Sequence, residues 1–238
     1  MPRITSKLPA SLIALALALS WMTLVRATPS DKPNWDGFAL LVIDVQNDFW
    51  GGGQGHVPGF AENTAKMLQQ ARKEGLEVIH VRTRFAADKS DWPNAFRVTF
   101  GNHIPCLAGT HGVEPAEFAR EASGERVFYK KHFDAFTSNE LLAHLRARGV
   151  KRVFLTGLTT DVCILSSALG AGSHGYVATV VNDCCSAAPM NVHSFIIHRY
   201  EGLMFDVKNH DQLLSQLPAW RTEFNQFAAQ SGPAGKLP

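Results

Sequence analysis

The chain reads as an α/β protein of three layers, with a mainly parallel six-stranded sheet flanked by helices. Two observations predict this. Phe38-Ala39-Leu40-Leu41-Val42-Ile43 is an unbroken apolar run, which suits a strand covered on both faces. Strand-like runs then alternate with helical patterns, so each strand returns parallel to the one before it. The 238 residues, 45% hydrophobic and only 18% charged, suffice for one substantial core and argue against disorder. A net charge of +2, with no run of basic residues longer than two, leaves no electrostatic footprint for nucleic acid.

The elements follow in order. The first strand ends at Asp44, before the loop Gly51-Gly52-Gly53-Gln54-Gly55. A helix is predicted over 61–73, stopped by Gly75, and a second strand over 77–81. Residues 82–124, with Pro93, Pro105 and several glycines, read as one long irregular segment, a length that usually serves function. A strand over 126–129 precedes a helix over 139–148, capped by Ser138 and stopped by Gly149. A strand over 152–156 leads into a helix beginning around Cys163. A strand over 177–181, a helix over 191–201, a short strand over 203–205 and a helix over 211–217 complete the core. Residues 34–217 thus form one domain, and residues 218–238 read as a loosely attached C-terminal tail.

The N-terminus differs in kind. Arg3 and Lys7 precede a Leu- and Ala-rich stretch from 8 to 25, and no acidic residue occurs before Asp31. With Val25-Arg26-Ala27 at cleavage spacing, residues 1–27 read as a signal peptide and the mature chain as secreted or periplasmic. The alternatives are a cytoplasmic protein, if the stretch is not a working signal, or a retained anchor, which Pro9, Ser11, Ser20 and Thr23 weaken against a span of ~20 apolar residues. No stable membrane association is expected after cleavage.

Ligand sites of parallel sheets lie beyond the carboxyl ends of the strands. Asp44, Lys130 and Cys163 all fall there. A thiol at the start of a helix faces unpaired N–H groups and the positive end of the helix dipole, which favour a thiolate, the reactive form of cysteine. The competing reading is a buried structural cysteine. Asp44 could equally be a turn carboxylate and Lys130 an exposed lysine, but three coincidences at strand ends are harder to dismiss than one.

These positions sit in three motifs, Leu41-Val42-Ile43-Asp44-Val45-Gln46-Asn47-Asp48-Phe49, Val127-Phe128-Tyr129-Lys130-Lys131-His132-Phe133-Asp134-Ala135-Phe136 and Thr156-Gly157-Leu158-Thr159-Thr160-Asp161-Val162-Cys163. In that order, across most of the mature chain, they resemble the isochorismatase-like cysteine hydrolase family, whose fold is Rossmann-like. The resemblance implies a catalytic triad of Asp44, Lys130 and Cys163, with Lys130 chosen over Lys131 by its spacing from Phe136. It implies an oxyanion hole from the backbone N–H groups of Thr159 and Cys163, and a cis bond between Leu158 and Thr159. It also implies cleavage of a carbon–nitrogen bond in a small amide or ureido compound through a thioester, without a cofactor, by a homo-oligomer. Gln46, Phe49, Trp92, Phe136 and Leu158 are candidate pocket residues, the aromatic ones being equally natural in a core.

Relatives that hydrolyse nicotinamide carry a metal site of one Asp and histidines. The corresponding stretch here, 83–93, contains no histidine, so no metal is expected. His80, His103 and His111 lack ligand spacing, and neither they nor Cys106, Cys184 and Cys185 suggest zinc. Two other readings stand beside amide hydrolysis. One is vinyl-ether hydrolysis of the isochorismatase type, which the presence of Cys163 disfavours. The other is a catalytically silent binding protein of the same fold.

Overall fold

A computed structural model describes residues 34–230. The expected signal peptide lies outside these residues. Six parallel strands form the sheet: β1 (Phe38–Ile43), β2 (Glu77–Thr83), β3 (Arg126–Lys130), β4 (Arg152–Leu158), β5 (Val177–Ser186) and β6 (Asp206–Lys208), in the order β3-β2-β1-β4-β5-β6. The sequence-predicted class is therefore the observed one. Every residue of β1 and β4 is buried, as strands roofed on both faces must be. The chain winds outward from β1 to β3, then restarts at β4 on the other side. The carboxyl ends of β1 and β4 flank that reversal, where doubly wound sheets leave a crevice.

The helices are α1 (Phe60–Glu74), α2 (Asn94–Phe100), α3 (Asn139–Ala147), α4 (Leu165–Ser173), α5 (Met190–Tyr200) and α6 (Leu213–Gln230). In α1 the buried Phe60, Thr64, Met67, Leu68 and Ala71 recur at helical spacing, and Gly75 closes it in the left-handed conformation. Ser138 caps α3 by accepting the Leu141 N–H, as expected. Among the described residues no helix is long and apolar enough to cross a membrane.

Besides shifts of one or two residues at other ends, four boundaries differ from the sequence reading. Residues 82–124 are not wholly irregular, since α2 and two single 3-10 turns, His111–Val113 and Glu117–Ala119, lie within them. β5 runs on to Ser186 across a shift of register against β4, so Cys184 and Cys185 lie within a strand, fully buried. β6 lies at 206–208 rather than 203–205, because it is an edge strand chosen by pairing with Thr179–Val181, while Leu203 and Met204 are exposed. The segment beyond Pro218 is not a loose tail. α6 runs through Pro218 and turns Leu217 and Trp220 inward. Phe224 stacks on Phe38 at 4.8 Å, and Arg152 reaches Glu223 at 2.8 Å while its guanidinium lies over Trp220. A proline removes one helical hydrogen bond, and this aromatic face offsets it.

Gly157 shows how closely β1 and β4 approach. Its φ is +127°, and a Cβ there would stand 1.9 Å from the carbonyl oxygen of Ile43, the residue before Asp44. Gly157→Ala is expected to cost about 3 kcal/mol or more in stability and to displace Asp44, seen as a lower urea midpoint with loss of any Cys163-dependent activity. Trp220→Ala is expected to lower stability by about 3 kcal/mol, measured by urea unfolding; an unchanged midpoint would show that α6 is not part of the cooperative core.

Candidate active site

The three strand-end residues meet. β1 stops at Ile43, and Asp44 takes a φ of 52°, a left-handed conformation that aspartate tolerates better than most residues. Lys130 ends β3 in register with Thr83, which ends β2. Cys163 sits in a π-helical turn, Thr160–Ile164, between β4 and α4. Lys130 Nζ lies 2.6 Å from Asp44 Oδ2 and donates to Cys163 Sγ at 3.5 Å, to Thr83 Oγ1 at 3.1 Å and to the His132 carbonyl at 2.9 Å. Asp44 and Lys130 are almost wholly removed from solvent. A charge pair so buried persists only where partners replace water, and here they do. Asp44 Oδ1 accepts two hydrogen bonds from Thr83, from its N–H at 2.9 Å and its hydroxyl at 3.0 Å. Oδ2 faces the ammonium out of hydrogen-bond alignment and has no hydrogen-bond donor among the described residues.

The electrostatics correct one expectation. Burial pushes the Cys163 thiol well above its ordinary range, the Asp44 charge pushes it further, and Lys130 pulls it back only in part. The helix start does not deliver a ready thiolate. Burial alone would lower Lys130, but the charges of Asp44 and Cys163 outweigh it and hold the ammonium above its usual pKa. At neutral pH the site therefore holds a thiol beside an ammonium.

The N–H groups of Val162 and Ile164 both go to the Thr159 carbonyl, each at 3.1 Å. The Cys163 N–H between them bonds no carbonyl outside the turn, and the Thr159 N–H has no acceptor among the described residues. The Leu158–Thr159 bond is cis. Thr160 does not cap the turn. Its hydroxyl donates to His193 Nδ1 at 2.8 Å, and His193 Nε2 in turn donates to Asn182 at 3.1 Å.

A cavity of about 290 Å³ opens above Cys163 and is lined by Thr83, Lys130, Thr159 and Val162 at its floor. Phe49 and Trp92 line it, as the sequence reading expects. Gln46, Phe136 and Leu158 do not. Gln46 is fully buried and clamps the strand end instead: its Nε2 donates to the Thr83 and Val113 carbonyls and its Oε1 accepts the Thr83 N–H. Phe136 packs in the core with Tyr176, and Leu158 is buried on the opposite side of the sheet beside Phe154 and Val181. Both were placed near the site by sequence proximity, but the alternation of a strand and the turn after β3 send them elsewhere.

Thr83 was missed because the sequence reading ends the second strand at 81, whereas β2 runs on to Thr83. His132 and His193 carried no sequence signal, since one acts through its carbonyl and the other across 33 residues. All four cysteines are free and buried. Among the described residues, Asp183, Cys184 and His210 bring ligand-type atoms within 4.8 Å of one another, a grouping the sequence reading did not anticipate. Asp183 is engaged there by the backbone and ring N–H of His210, and none of the three lines the cavity.

Comparison with known proteins accords with this geometry. A family model described as the isochorismatase domain matches residues 38–212. An isochorismatase family protein of Bacillus subtilis, YddQ, is 31% identical over 163 residues, spanning 67% of this chain and 83% of that one. The maleamate amidohydrolase of Pseudomonas putida is 30% identical over 191 residues, 75% of this chain and 86% of the relative. Among solved structures, an isochorismatase family protein from Desulfovibrio vulgaris superposes with a TM-score of 0.69 at 32% identity, covering 77% of this chain and 99% of that one. The family includes amide hydrolases, the sheet has the same all-parallel architecture, and the matched span contains every side chain at the floor of the cavity; the chain belongs to the isochorismatase-like cysteine hydrolase family.

Proposed function

We propose that this protein hydrolyses the carbon–nitrogen bond of a small amide or ureido compound through a thioester on Cys163. The observation that carries the reading is the contact set at the cavity floor. One buried ammonium lies 2.6 Å from the Asp44 carboxylate and 3.5 Å from the Cys163 sulfur. The similarity to an amidohydrolase supports the same reaction class.

The chemistry follows from the charges. As the substrate carbonyl settles over Sγ, the thiol proton passes to Asp44 Oδ2 while sulfur forms its bond to the carbonyl carbon. The carbonyl oxygen takes up the negative charge beside the Thr159 and Cys163 N–H groups, where one preorganised donor is worth about 3 kcal/mol. Asp44 returns the proton to the nitrogen, the carbon–nitrogen bond breaks, and ammonia or an amine departs. Water then gives a proton to Asp44 and attacks the thioester. The acid leaves, and the thiol recovers its proton. Lys130 stays an ammonium throughout. It lies 2.6 Å from the Asp44 carboxylate and offsets charge that develops on sulfur. Thr83 and Gln46 hold the carboxylate in place.

Cys163→Ala is expected to abolish ammonia release from small amides, and mass spectrometry of wild-type protein quenched during turnover should show an acyl adduct on Cys163. Ammonia release by the alanine variant at the wild-type rate would remove cysteine from the mechanism. The raised thiol makes a second prediction. Iodoacetamide should modify Cys163 slowly at pH 7 and faster as pH rises past 9, because the thiolate is the reacting form. Asp44→Asn removes the negative charge that pushes the thiol up and leaves Lys130 beside it. That variant should lose hydrolysis yet be alkylated on the order of ten-fold faster at pH 7. Slower alkylation would contradict the assigned electrostatics.

A further inference from the structure

The walls of the cavity are aromatic from floor to mouth. Phe85 meets Trp92 edge-on at 4.7 Å, Trp92 meets Phe96 at 5.4 Å, and Phe96 stacks on Phe133 at 4.8 Å. Phe49, Phe100, His103, Pro105 and His132 also line the cavity. Phe100 and Phe133 at the mouth remain 47% and 37% exposed, so both still present apolar surface for a ligand to cover.

The charges around this box are already engaged. Lys130 is paired with Asp44. Lys131 is paired with Asp91, donates to the Arg84 carbonyl at 2.8 Å and lies over the Phe85 ring. Asp48 brings a negative charge to the wall, with one oxygen accepting the Cys106 N–H at 2.6 Å. Among the described residues no arginine lines the cavity. Arg84 lies over Tyr129, and Arg97, within α2, is spent on the Trp92 and Lys89 carbonyls. The Trp92 indole N–H is buried without an acceptor among the described residues, and the rings of His103 and His132 also line the cavity, so the wall offers N–H donors but no unpaired lysine or arginine. A carboxylate brought in here would lose its water and meet an aspartate with no unpaired lysine or arginine beside it among the described residues.

We infer that the acyl group accepted by this site is uncharged and apolar, an aryl or short arylalkyl primary carboxamide, and that amides bearing a carboxylate are discriminated against. The inference rests on the amide hydrolysis proposed above and specifies its substrate class. A cavity of about 290 Å³ suits a single ring with a short chain. The ring would lie between Phe96, Phe133 and Trp92, with the carboxamide directed to Cys163. Specificity then resides in the segment between β2 and β3, which supplies most of the wall, rather than in the strand ends.

The test has two arms. Ammonia release is measured for benzamide and 3-phenylpropionamide against maleamate and 3-ureidopropionate. The neutral aryl amides should show kcat/KM on the order of 100-fold higher, and Phe96→Ala should raise KM for 3-phenylpropionamide about ten-fold. Preference for either anionic substrate overturns the inference while leaving amide hydrolysis intact. The second arm does not depend on turnover: calorimetric binding of 3-phenylpropionamide and of maleamate to the Cys163→Ala protein. Binding of the aryl amide alone supports the assignment even if no amide is hydrolysed, an outcome that would instead sink the reaction. Tighter binding of maleamate, or no binding of the aryl amide at millimolar concentration, overturns it.

Discussion

An ammonium and a carboxylate held out of water at 2.6 Å, with a sulfur beside them, set the terms for the rest of this structure. Removing two charges from solvent costs several kcal/mol each, and the fold must supply substitutes for the lost hydration. It does so with Thr83, whose N–H and hydroxyl both serve Asp44, and with the His132 carbonyl, which takes one ammonium proton. Gln46 fixes Thr83 from behind. The ends of β1, β2 and β3 are thereby tied into one network, and the turn after β4 is brought over it.

That network explains why the thiol is not already ionised. A cysteine beside an unpaired lysine would give up its proton. Here the lysine charge is largely engaged by Asp44, and burial adds to the cost of a second anion. In the proposed reaction the negative charge reaches sulfur only as the carbonyl arrives to share it. A protonated, buried thiol is also a poor target for disulfide exchange or peroxide.

The division of labour is spatial. The strand ends and the π-helical turn carry the reactive groups, and the long segment between β2 and β3 carries the wall that a substrate's remainder would meet. Loops placed by a rigid sheet can change their side chains without disturbing the charges beneath them. Relatives sharing the floor can therefore act on different substrates, and similarity at the strand ends says less about the acyl group than the wall does.

The sequence alone determined the α/β class, the helices around α1 and α3, and the positions of Asp44, Lys130 and Cys163, because hydrophobic periodicity and the carboxyl-end rule are local or nearly local signals. Phe49 and Trp92 line the cavity, though by sequence they fitted a core equally well. The sequence could not distinguish wall from core for Phe136 and Leu158, since both depend on which face a turn or strand presents. It could not see that Gln46 clamps Thr83, or that His193 anchors the cysteine turn, because those partners are 37 and 33 residues away. Pro218 read as a terminator until the aromatic face of α6 found Phe38 and Phe154. The ionisation of Cys163 was likewise decided only by tertiary structure: a pKa is set by burial and by neighbouring charges, and both are properties of the packed molecule rather than of the chain.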